Sequence, residues 1–485
     1  MQAIDARRLP PSSGLLSVIG LVVMAVVVTT GTLIAGPLAL LPIVGALVFA
    51  VIVARPEYGI ALFLSTFLMT YPASLQGSGF LTINNVLGGI FLILLTYKMY
   101  REEDWWFLGN RELQIFAFII LLYYLSDTFN APDARLIQLL GVQEHSASNV
   151  RTFINRVLFT VFFMNFIRAP GHVRMIYLLA LAFMVVSALT GVLGVLRGTG
   201  FAGYRASTDA GVIASAWNPN RLAMFAILAI AGLWHLMRSW RIPGLPLVII
   251  PTIAVLALAV FMTASRSGLL GLGVCGLAIV IDERTSVVTL LSFGLAVMLL
   301  LIAVIQFVPS RSLDRITNLP LTQAAESGEG SGSLERRQYT WTVAWELFLD
   351  NPVLGVGMGN WEVARFMKDP ARSTSAPHSS YLLALVEGGV FCLLAFLVLL
   401  WRTWRNIRFA ESHLSDPQHP LADLLWIVKA SKTGFLVLVF FSIFADLWQL
   451  VILFWLVGLA IVIRRLIEQT PPATDEPPLD EAFAY

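Results

Sequence analysis

The sequence predicts an all-α, polytopic integral membrane fold, and three observations carry that expectation. The 485 residues are 57% hydrophobic and only 13% charged, with a mean hydropathy of +0.78, far from soluble norms. Apolar runs near the ~20 residues that a bilayer demands recur along the chain. Lysine and arginine also alternate between successive connections, as they do in multi-pass proteins.

Spans are expected at about 14–34, 37–54, 58–73, 80–99, 112–129, 150–168, 173–196, 217–238, 246–264, 266–283, 286–308, 379–405, 430–446 and 448–466. The runs 58–73 and 430–446 are short and could be tilted or re-entrant, so the expected number is about 12–14. The first run follows Arg7 and Arg8 but outlasts a signal-peptide core, and is expected as a retained helix. The organisation then reads as a cytoplasmic segment 1–13, helices 1–11 over 14–308, a large periplasmic loop 309–378, helices 12–14 over 379–466, and an acidic, Pro-rich cytoplasmic tail 467–485, expected to be disordered. No internal repeat or half-symmetry of hydropathy is visible.

With the N terminus inside, the basic groups fall on one side. They are Arg7 and Arg8, Arg55, Lys98 to Arg111, Arg168 and Arg174, Arg238 and Arg241, Arg284, Arg402 to Lys432, and Arg464 and Arg465. The opposite connections near 35, 74–79 and 447 are nearly bare. Three outer connections are not: 130–149, 197–216 and the stretch from Pro309 to Pro377. A loop as long as the last should be structured or functional. Within it, 321–333 reads as a flexible linker. Leu334 to Asp350 reads as an amphipathic helix with Trp341, Trp345 and Phe348 on one face, stopped by Asn351-Pro352. That face suits either the membrane interface plane or packing on other outer loops.

The segment Asn351 to Gly389 reads as a long polar interval between two strongly apolar halves. Its alternating Gly355, Gly357 and Gly359 let the backbone take positive φ and pass close to another surface. Such irregular backbone is not tolerated against lipid, so it belongs at one mouth of the membrane body.

Four polar sets converge on that mouth in this topology: Asn218-Pro219-Asn220-Arg221, Ser265-Arg266-Ser267 in a tight interhelical turn, Arg336-Arg337, and His378. Each has a plainer reading. Arg221 could snorkel to headgroups, one of Arg336 and Arg337 could be a solvated charge, and a lone histidine is often structural. Together they suit a phosphate-bearing ligand, because guanidinium forks match phosphate oxygens and imidazole can take a proton from a hydroxyl. The sequence shows no DxD, HExxH or Cys/His spacing, so neither metal nor cofactor is expected. Cys275 and Cys392 lie in apolar runs and read as small core residues. The net charge of +2 gives no reason to expect a nucleic-acid partner.

WNPNRLAMF, ASRSGLLGL, LERRQYTWTVAWELFLDNPVLGVGMGNW and PHSSYLLALVEGGVFCLLAFL, in that order, resemble the signature blocks of the bacterial O-antigen ligase and polysaccharide polymerase superfamily. The resemblance covers about Asn218 to Leu400. It implies a GT-C-related helical fold in the inner membrane, joining undecaprenyl-diphosphate-linked glycan to an acceptor sugar hydroxyl, with inversion and without a metal. Carried over by motif, His378 would be the base, Arg221 and Arg266 would bind the diphosphate beside Asn220, and Arg336 or Arg337 would hold donor or acceptor. Glu387, in the family's Glu-Gly pair, would make a structural bond. The implied partners are the lipid-linked oligosaccharide donor, a glycan or lipid-anchored acceptor, membrane lipids and, for a polymerase, a chain-length regulator and a flippase. The chain has the Ser form of the block that follows the histidine, and its Gly/Ser linker at 327–333 resembles a member-specific insertion. Polymerase is slightly favoured over ligase. The competing readings are an anion or solute transporter, suggested by Arg156, His235 and Asp446, and a non-catalytic assembly component.

Overall fold

The computed structural model describes residues 40–68, 82–130, 146–197, 218–240, 242–283, 331–369, 377–448 and 450–470. Packing divides the chain between Gly59 and Ile60. In the first unit lie α1 (Leu40–Ala54) and the opening turn of α2 (Pro56–Leu68). Pro56 sits where a helix has a spare N–H, and Arg55 pairs with Glu57 at 3.8 Å.

The second unit is all helical among its described residues. It continues with α3 (Ile83–Glu102), α4 (Arg111–Phe129), α5 (Ser146–Phe166), α6 (Pro170–Leu196) and α7 (Pro219–Ser239). Next come α8 (Leu245–Met262), α9 (Arg266–Glu283), α10 (Ser331–Asp350) and α11 (Trp361–Lys368). The last three are α12 (Ser380–Leu414), α13 (Leu425–Phe441) and α14 (Val451–Gln469). Seven described helices are long and apolar enough to cross a membrane. The expected spans 14–34 and 286–308 lie outside the described residues, as do most of the outer loops 130–149 and 197–216 and the tail from 471.

α7 is the hub. Leu222 through Ala231 are all buried, so the helix is apolar all round, and α6, α8, α9 and α13 surround it. Small residues set those approaches: a Cβ on Gly268 of α9 would lie 2.8 Å from that of Ala223 on α7. α14 is as fully enclosed, against α5 and α12. Near its start the Trp448 indole donates to the Tyr123 hydroxyl at 2.7 Å.

Several of the described basic residues expected on one side lie together at one end. Arg168 bonds Glu102 at 3.0 Å and Asp104 at 3.2 Å, and Arg402 bonds Glu112 at 3.0 Å. Lys432 bridges Asp282 and Glu411, all three largely enclosed, which ties α9, α12 and α13 together. Removing that lysine would strand two carboxylates in a low-dielectric interior.

Two expectations need correction. The span at 379–405 is not one unbroken helix, because Gly389 takes φ 74° and ψ −174° inside α12. The linker 321–333 ends early, since Ser331, Gly332 and Ser333 already belong to α10. On α10 the Trp face is largely left outward, as a helix in the membrane interface plane would leave it. Val343, Ala344 and Leu347 are buried against Val356, Trp361 and Val386, whereas Trp345 and Leu349 are exposed and Phe348 is half-buried between the two faces.

Candidate active site

The end of the bundle opposite the basic cluster is built from interrupted helices, and each interruption has a visible cause. At the break in α12 the carbonyls of Val386 and Glu387 lose their helical partners. The loop after α10 replaces them: the Val356 N–H donates to Val386 O at 2.8 Å and the Gly357 N–H to Glu387 O at 3.0 Å. In return, the Val390 N–H donates to Pro352 O at 2.9 Å. Gly355, Gly357 and Gly359 have φ of 69°, 96° and 79°, and a Cβ on Gly355 would run into the backbone of Val386 and Glu387. Asn130, just past the end of α4, donates to the Gly355 carbonyl at 2.6 Å. Glu387 itself is 2% exposed.

His378 is fixed by its neighbours in PHSSYL. Ser379 caps α12, accepting from the Leu382 N–H at 3.4 Å. Ser380 is latched to the α13–α14 turn: its N–H donates to Ser442 O at 2.8 Å, its hydroxyl donates to Ala445 O at 2.9 Å and accepts from the Leu447 N–H at 2.8 Å. The Tyr381 hydroxyl donates to Val439 O at 3.0 Å. This latch carries Asp446 to the imidazole, with Nδ1 3.3 Å from Asp446 Oδ2. Asp446, one of the residues that suggest a transporter, is the ion-pair partner of His378. Its signal was present, since it is the sole acid between 425 and 467.

Ser265-Arg266-Ser267 occupies the α8–α9 turn. Ser265 Oγ lies 2.7 Å from Asn220 Oδ1 and 3.1 Å from Ser267 Oγ, and accepts from the Gly268 N–H at 3.0 Å. Asn220 is held at the start of α7, where its N–H donates to the Asn218 side chain at 2.9 Å. Arg221 and Arg266 adjoin this contact, both half-buried.

The two halves meet through α9 and α13. A side chain on Gly271, five residues after Arg266, would collide with the Phe441 ring. Phe441 ends α13 one residue before Ser442, the acceptor of the Ser380 N–H. Asn220, Arg221, Arg266, His378 and Asp446 therefore share one end of the bundle. Arg337 lies one turn before Trp341 on α10, and Trp341 Nε1 donates to the Pro377 carbonyl at 3.1 Å. That places Arg337 on the face of α10 turned toward the His378 segment. Arg336 is in α10, but its side chain lies outside the described residues. Nearby, the Asp350 carboxylate accepts from Lys368 at 2.7 Å, and that hydrogen bond raises the lysine pKa.

Backbone strain collects here. Among the described residues three non-glycines have positive φ, and two of them, Ala264 at 48° and His378 at 50°, sit at this mouth. Residues 251–397 match the family model described as O-antigen ligase. The chain carries an O-antigen ligase family domain. That domain contains the Ser265 turn, the three glycines, His378 and the break at Gly389, whereas Asn220, Arg221 and Asp446 lie outside its matched span. No curated protein matches the chain.

Proposed function

We propose that the chain is a glycosyltransferase of the O-antigen ligase and polymerase kind, with a GT-C-related body in a bacterial inner membrane and its active mouth on the periplasmic face. The observation that carries this reading is the strained His378 held against Asp446, at the same end as the Asn220–Ser265 contact and the two arginines beside it.

In the proposed reaction an undecaprenyl-diphosphate-linked glycan lies with its tail in the bilayer and its diphosphate at the mouth. His378 Nδ1–H donates to Asp446, which leaves the Nε2 lone pair for the acceptor hydroxyl proton. The hydroxyl oxygen bonds to the anomeric carbon as the carbon–oxygen bond to the diphosphate breaks, inverting the centre. Arg221 and Arg266 take up the charge on the departing diphosphate oxygens, with Asn220 holding the Arg266 turn in place. Arg337, in preference to Arg336, reaches donor or acceptor from α10. No metal enters the step. Growth of a repeat-unit polymer is favoured over transfer to a lipid anchor.

Arg266→Ala, in a strain lacking the natural copy, is expected to remove long surface glycan. Accumulated single lipid-linked repeats would mark a polymerase, and full-length lipid-linked polymer without its anchor a ligase. Normal surface glycan would discard the enzyme reading and leave transport or assembly. The orientation has its own test. Cys275 and Cys392 are buried, so a Ser331→Cys chain presents one new reactive thiol. It should react with an impermeant maleimide in intact cells; labelling only after lysis reverses the topology.

A further inference from the structure

About 28 Å from the glycine loop, measured along the 19 residues of α4 at ~1.5 Å each, lies a second polar site. The start of α4, the middle of α12 and the end of α14 enclose an open cleft of about 720 Å³. Arg111, Arg402, Arg405, Arg464 and Arg465 all line it. The proposed transfer uses none of them.

Three carboxylates also line the cleft, and each is already engaged. Glu112 accepts from Arg402 and from Asn406, both at 3.0 Å, and Glu468 accepts from Arg464 at 2.7 Å. Asp104 is bonded by Arg168 at 3.2 Å and stands 3.7 Å from Arg465. That leaves positive charge over. Arg111 and Arg405 form no ion pair among the described residues, and the Nη1 of Arg465 meets no hydrogen-bond acceptor.

Arg405 is held without being neutralised, and Arg465 has only its long contact to Asp104. Arg465 lies over the Trp106 ring at 4.2 Å and Arg405 over the Trp401 ring at 5.0 Å. Stacking occupies the face of a guanidinium and leaves its N–H edge available, the edge that grips phosphate oxygens in a fork. Gly109 to Glu112 bring the capped N-terminus of α4 into the same cleft, which adds first-turn N–H groups and the positive end of the helix dipole. Basic residues scattered over a membrane face would answer to orientation alone. Here they are gathered into a concavity with stacked, pre-set donors, at the end of the bundle away from the mouth, where a headgroup phosphate could reach them.

We propose that this cleft binds a phosphate-bearing anion, either an anionic phospholipid headgroup or free phosphate. The test measures thermal unfolding of the purified full chain in neutral mixed micelles of phosphatidylcholine, with phosphatidylglycerol or inorganic phosphate added. Phosphatidylglycerol should raise the midpoint by several degrees. The Arg111→Gln/Arg405→Gln double variant should keep the midpoint seen in phosphatidylcholine and lose the increment. Should the pair fail to fold, Arg405→Gln alone, at an exposed position, should lose part of it. An equal increment from inorganic phosphate would identify a soluble anion as the source; its absence would identify the headgroup. An increment that survives in the variants would overturn the proposal. So would an increment that appears only after deletion of residues 471–485, which would assign the cleft to the chain's own Asp475, Glu476, Asp480 and Glu481.

Discussion

Replacing His378 with glycine should leave the protein about as stable as before while nearly abolishing transfer. The backbone at 378 has φ 50°, a left-handed conformation that costs a β-carbon residue about 1–2 kcal/mol and glycine nothing. Against this gain stand the greater freedom of glycine in the unfolded chain, ~0.5–1 kcal/mol, and the loss of a part-exposed contact to Asp446, ~0.2–1 kcal/mol. The terms nearly cancel, so the unfolding midpoint should move by no more than a few degrees. Transfer should fall by about 10²–10⁴, the usual worth of a positioned general base. Asp446→Asn keeps an oxygen facing the imidazole but removes its charge. It should reduce turnover by less than the histidine variant while leaving the Michaelis constant for the donor nearly unchanged. Turnover of a lipid-linked donor, measured beside the unfolding midpoint, checks both. Half-normal turnover in His378→Gly would remove the base; a collapsed midpoint would make His378 a structural residue.

The sequence and the structure agree best where a residue type has one physical use. Long apolar runs announced the membrane-length helices between Ile83 and Gln469, most with ends displaced by a few residues where capping by Thr82, Asn110 and Ser379 decided them. But α12 runs on to Leu414 past the expected 405, and α11 had no such run to announce it. Gly355, Gly357 and Gly359 announced a close backbone approach, but not its object, because the pairing with Val386 and Glu387 joins segments about thirty residues apart. The break at Gly389 was hidden by a hydropathy that continues through it. The Trp face of α10 left two readings open because two apolar stripes share that helix, and only tertiary contacts decide which one packs. Asp446 was readable as an isolated acid, yet its meaning needed the Ser380 latch that delivers it to His378.

Gly389→Ala is the substitution most expected to disable the whole mouth. At φ 74° and ψ −174° the residue occupies a region that essentially only glycine populates, where another residue is strained by about 1–3 kcal/mol. A Cβ there would also strike the Val353 carbonyl and come within 2.9 Å of the Leu354 nitrogen. Neither neighbour is a flexible tip that can swing aside; both are backbone. Relief requires the loop to withdraw, which breaks the Val390–Pro352, Val356–Val386 and Gly357–Glu387 hydrogen bonds, each worth ~1 kcal/mol. A total loss above about 3 kcal/mol follows, and it reaches the chemistry because the same loop positions α10 on the segment before His378. The unfolding midpoint and glycan transfer should therefore fall together, unlike their separation in His378→Gly. Gly273→Ala is the matched control: it is helical, nothing lies within 4 Å of the added carbon, and stability should hold or rise by ~0.5–1 kcal/mol. A Gly389→Ala protein with an unchanged midpoint would mean that the loop is held at α12 by something other than these backbone pairs.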